Sequence, residues 1–90
     1  MGCTWPNIDV DCDNWNGTAG GSFTFVNNLS VVANITQDGT NPWPFTGCSA
    51  GMSIPVGQNG SCSCGTSGGS YKVNGNVKHV IITARRHEKH

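Results

Sequence analysis

The sequence predicts an all-β fold, a small antiparallel β-sandwich or incomplete β-barrel supported by disulfides. Three observations carry that expectation. Short segments alternate apolar and polar residues with the period of a half-buried strand. Glycine occupies 13 positions while charged residues make up only 11%, which leaves too little helix-forming material for a long surface helix. Five cysteines in 90 residues suit a domain whose core is too small to dispense with cross-links.

Residues 1–21 read as an irregular N-terminal arm, because Pro6, the Asp and Asn cluster, Asn16-Gly17 and Gly20-Gly21 all favour turns. A compact β domain then spans 22–84, and residues 85–90 form a basic tail without apolar periodicity. Within the domain, Ser22 to Val26 places Phe23 and Phe25 on one face of a first strand. Asn27-Asn28 turns the chain, and Leu29 to Thr36 reads as a second strand with Val31, Ala33 and Ile35 inward. Pro42-Trp43-Pro44-Phe45 is too constrained for a central strand, since neither proline can donate to a ladder. Met52 to Val56 is a candidate edge strand. Ser61-Cys62-Ser63-Cys64 alternates cleanly, sulfur inward and hydroxyl outward.

Asn74-Gly75 is the strongest turn signal, because both residues tolerate the positive φ of a type I′ hairpin. That turn pairs Val73 with Asn76 and Tyr71 with Lys78. It leaves Val80, Ile82 and Ala84 on the Tyr71 face and sends Lys78 toward the sheet rim. A three-residue turn would bury the shorter row of Ile81 and Thr83, so the two-residue register is preferred.

Cys3, Cys12, Cys48, Cys62 and Cys64 are the disulfide candidates, and their odd number leaves at least one thiol unpaired within the chain. The expected arrangement ties the Cys62/Cys64 strand to Cys48 and to the N-terminal arm. A zinc site is disfavoured, because closed sites separate their first two cysteines by more than one residue. The cysteine density predicts an oxidising location: secreted, periplasmic or cell-surface. Four N-glycosylation patterns, beginning at Asn16, Asn28, Asn34 and Asn59, are compatible with a secreted eukaryotic protein, and a bacterial exported origin fits as well.

Net charge is zero, but Asp9, Asp11, Asp13 and Asp38 all precede every Lys and Arg in the chain. Cations confined to the last residues are a thin supply for displacing counterions, so nucleic acid is not an expected partner. No apolar run approaches the ~20 residues that span a bilayer as a helix. Asp9, Asp11 and Asp13 place carboxylates at alternate positions, as in a calcium loop, yet the EF-hand pattern fails at Asn14 and Gly20. A solvated arm is therefore the favoured reading and calcium the alternative; no other cofactor is expected.

Trp5, Trp15 and Trp43 lie in Pro-, Asn- or Gly-rich segments, where an indole either covers an open end of the core or offers a flat face to a ligand. Trp43 with Asn41, and then Trp15 and Trp5, are the candidate ligand-binding residues. No nucleophile–base pair or acid/base carboxylate pair is visible, so an enzyme is not expected. These features point to a non-catalytic extracellular binding or adhesion module whose partner is carbohydrate or a surface protein. The competing reading is a structural or assembly module that joins subunits, including copies of itself, through an edge strand or the odd cysteine.

Overall fold

The alternation seen in the sequence is realised as two five-stranded sheets packed face to face in a computed structural model that describes residues 2–84. The predicted basic tail, 85–90, lies outside the described residues. In chain order the strands are β1 (Cys3–Thr4), β2 (Asn7–Asp9), β3 (Asn14–Thr18), β4 (Ser22–Val26) and β5 (Ala33–Gln37). They continue as β6 (Phe45–Thr46), β7 (Met52–Ile54), β8 (Asn59–Cys64), β9 (Gly69–Val73) and β10 (Asn76–Thr83). The first sheet runs β1-β2-β4-β8-β6 and the second β3-β10-β9-β5-β7. They form a sandwich-like arrangement that does not close into a barrel.

Over the described residues 2–21, the predicted irregular arm is ordered into strands. These residues supply β1, β2 and β3, and they introduce parallel pairing into a fold expected to be antiparallel: β2 runs parallel to β4, and β3 parallel to β10. The reason lies in the apolar residues between the turn formers. Ile8, Val10, Cys12 and Trp15 are all buried, so the segment zips along one sheet and crosses to the edge of the other. Val10 N–H donates to Val26 O at 3.0 Å and His79 N–H to Asp13 O at 2.8 Å, which ties each half of the segment to its sheet.

Aromatic rings lock the two layers together. Phe23, Phe25 and Phe45 project from the first sheet against Trp15 and Tyr71 of the second, with Trp15–Phe23 centroids 4.9 Å apart and Phe45–Tyr71 centroids 5.2 Å apart. Pairs at these separations add to the burial of their own apolar area, typically by about 1 kcal/mol. Ile8, Ile35, Ile54 and Val73 complete the buried cluster.

The second predicted strand starts later than expected. Ala33 and Ile35 point inward, but Val31 is 54% exposed. Asn27 explains the difference, because its side-chain amide donates to Val31 O and Ile54 O while its oxygen accepts from Leu29 N–H. This local capture holds residues 29–31, where a ladder was expected, in a loop. The C-terminal hairpin takes the two-residue register, Val73 opposite Asn76 and Tyr71 opposite Lys78, with φ of 50° at Asn74 and 84° at Gly75. Val80 is buried, Ile82 partly so and Ala84 exposed. Lys78 lies inside the rim, only 8% exposed. Its Nζ reaches Asp13 Oδ1 at 2.8 Å and Asp11 O at 3.3 Å, so the ammonium is satisfied where its aliphatic stem is buried.

Two disulfides, Cys3–Cys12 and Cys48–Cys62, brace the sandwich. The predicted link from β8 to Cys48 is present. The predicted link from β8 to the N-terminal segment is not: Cys12 closes on Cys3 around the β1–β2 hairpin, leaving Cys64 a buried free thiol.

Candidate binding groove

Trp43 is set by its neighbours on the chain and across the fold. Pro42 and Pro44 flank it, restricting the backbone before any tertiary contact forms. Its indole Nε1–H donates to Cys48 O at 3.1 Å, and its ring meets Phe45 edge-on with centroids 5.2 Å apart. Cys48 is in turn anchored to β8 by its disulfide. The indole is therefore half-buried and held on two sides.

An open groove of about 380 Å³ lies beside this indole, between the Pro42–Thr46 segment and the loop 65–68. Gly65 N–H donates to Pro44 O at 2.9 Å, which fixes the two walls together. A second groove, of about 360 Å³, lies over the first sheet and is lined by Ser22, Phe23 and Thr24 of β4 and Ser61, Cys62 and Ser63 of β8, with Pro6 and Gly47. Ser22, Thr24, Ser61 and Ser63 give this surface its hydroxyls. They were legible as the outward partners of Phe23, Phe25, Cys62 and Cys64, but small hydroxyl residues carry no signature that separates a binding face from a solvated one.

The other candidate binding residues do not join Trp43. Trp15 is 3% exposed and its Nε1–H donates to Tyr71 Oη inside the core, so it offers no face to a ligand. Trp5 packs on Trp15 and Phe23, with centroids 6.3 and 5.7 Å away, and covers the core at β3 and β4. Gly17 and Gly21 permit that packing: a Cβ at Gly17 would lie 3.1 Å from the Trp5 ring, and one at Gly21 only 2.8 Å. Asn41 is exposed but belongs to the preceding turn, where its amide donates to Asp38 Oδ2 at 3.2 Å and its carbonyl accepts from Gln37.

The three N-terminal carboxylates also diverge. Asp9 Oδ2 accepts from Gly2 N–H at 2.6 Å, Asp13 pairs with Lys78, and Asp11 Oδ1 is buried without a hydrogen-bond partner among the described residues. Among the described residues, no three His, Cys, Asp or Glu side chains come together in a metal-binding group. The Lys78 hydrogen bond and then its charge hold the Asp13 carboxyl below its ordinary value. Burial pushes the Cys64 thiol up to about 11, so it is protonated and inert as a nucleophile at neutral pH. Burial likewise raises Tyr71, an effect its hydrogen bond from Trp15 partly opposes.

No protein-family model, curated protein or solved structure matches this chain.

Proposed function

We propose that this chain is a non-catalytic binding module of an exported protein and that it takes carbohydrate at the Trp43 groove. The carrying observation is the state of Trp43 itself. Its N–H is committed to Cys48 O and its ring packs in a T-shaped pair with Phe45, yet the residue remains partly exposed along an open groove. A ring fixed before the ligand arrives loses little freedom on binding, which favours recognition through an aromatic face. Two disulfides in so small a domain support an oxidising location. A glycan array followed by calorimetry tests the reading. Binding that is lost in Trp43→Ala while the fold is kept supports it; equal binding by the variant removes Trp43 from the site.

A second reading, assembly with other subunits, draws on a different surface. Val77 and Ile81 are exposed on the outside of β10, and Ile81 is 62% accessible. The odd cysteine does not serve this reading, because Cys64 is buried against Gly17 inside the folded chain. Sedimentation over a range of concentrations tests it, with a rising mass in its favour and a constant monomer mass against it.

A further inference from the structure

The groove beside Trp43 continues beyond Thr46. Thr46 is paired with Ser63 across β6 and β8, and Ser63 with Ser22 across β8 and β4. All three lie on the outer face, because Phe45, Cys62, Cys64 and Phe23 take the inward positions between them. Ser22 and Ser63 hydroxyls stand 3.3 Å apart. Ser61 and Thr24 form the next cross-strand pair on the same face. Adjacent strands are about 4.8 Å apart, so the row from Thr46 to Ser22 spans about 10 Å. Thr46 lines the first groove, and its neighbour Gly47 and its partner Ser63 line the second.

We infer that the two grooves form one trough whose occupant is an uncharged, linear polysaccharide, one ring lying on Trp43 and the following rings along the Thr46–Ser63–Ser22 row. This assignment rests on the carbohydrate reading of Trp43 and extends it to a length and a charge class. No residue lining either groove is charged. A phosphate, sulfate, carboxylate or ammonium group on the occupant would therefore lose water without gaining an opposite charge to pair with. A serine or threonine hydroxyl both donates and accepts, so it can match a sugar hydroxyl in either sense. An extended peptide would instead bind by main-chain pairing at the free edge of a sheet. The edge here is β6, only 2 residues long, whereas the hydroxyl row crosses three strands.

Calorimetry and amide shift mapping with neutral gluco-, xylo- and manno-oligosaccharides, from disaccharide to hexasaccharide, test the assignment, with oligogalacturonate as the charged comparison. At least one neutral series should tighten by about tenfold or more with length. Shifts at Ser22, Ser61 and Ser63 should appear only with the longer members. Ser61→Ala, which removes one hydroxyl from the trough at an exposed position, should reduce the gain with length. Length-independent binding that perturbs Trp43 but not β4 or β8 overturns the trough and leaves the Trp43 reading standing. Equal affinity for oligogalacturonate overturns the charge class. If no neutral oligosaccharide of any length binds, the Trp43 reading falls together with its extension.

Discussion

Trp15 Nε1 donates to Tyr71 Oη at 2.7 Å, a buried hydrogen bond between residues 56 positions apart in sequence. The two side chains face the core from β3 and β9, on either side of β10 in the second sheet. The bond closes the polar demand of two large rings that otherwise supply apolar area, and it secures the N-terminal segment as part of the sandwich. Tyr71→Phe leaves the indole N–H unpaired in the core and should cost about 1–3 kcal/mol. Denaturant unfolding monitored by tryptophan fluorescence measures it. An unchanged midpoint would show that the indole has another partner.

Two glycine substitutions should differ in cause. At Gly75 the added Cβ meets nothing, so Gly75→Ala feels only the positive φ of 84° and should lose roughly 1 kcal/mol. At Gly17 the Cβ would stand 2.6 Å from Cys64 Sγ and 3.1 Å from both Trp5 and Trp15. Overpacking at that point should cost more, about 1–3 kcal/mol. The reverse order in thermal unfolding would contradict both assignments.

Acid should weaken the fold through Asp13 and Asp38. Lys78 lowers the first, through its hydrogen bond and then its charge; the Ser70 hydroxyl is the main cause lowering the second, aided by Asn41, Lys72 and His79 against the cost of desolvation. A carboxyl lowered in the folded state contributes stability that is present above its ordinary value of 3.8 and is lost as pH falls through the lowered one. Asp13 is largely exposed and Asp38 keeps part of its side chain in solvent, so the effect is modest. Asp13→Asn and Asp38→Asn should each flatten the stability profile below that value. Profiles parallel to the unsubstituted protein would refute the pairings.

Cys64 should resist alkylation in the native protein at neutral pH and react once the chain is unfolded, because its thiol is buried and raised to about 11. The unfolded thiol ionises near 9.0, so the contribution of this group is complete below that pH and declines as pH rises toward 11. Peptide mapping without reduction should recover Cys3–Cys12 and Cys48–Cys62, with the label only on Cys64 after unfolding. Native labelling of Cys64, or any other pairing, would contradict the arrangement.

Much of the sandwich is legible where the local signal and the tertiary demand agree. Phe23 and Phe25 alternate inward in a strand of β-formers, and Asn74-Gly75 supplies both positive-φ positions of its hairpin. The segment 1–21 misleads because its Asn, Asp and Gly residues speak for turns, while Ile8, Val10 and Trp15 find their partners on β4 and β10, far along the chain. Gly17 and Gly21 look like turn residues and instead make room for Trp5. Trp43 stands out by its two prolines. The hydroxyl row does not, since Ser22, Ser63 and Thr46 become neighbours only through strand pairing.

The three tryptophans provide the most direct measurement of the central claim. Fluorotryptophan incorporation gives each indole its own resonance, assigned by conservative Trp→Phe variants, and a neutral oligosaccharide identified by array can then be titrated in. The Trp43 signal should shift with saturation while Trp15, buried at 3% exposure, stays in place. Saturable binding that leaves Trp43 unmoved would contradict the account and place recognition elsewhere on the protein.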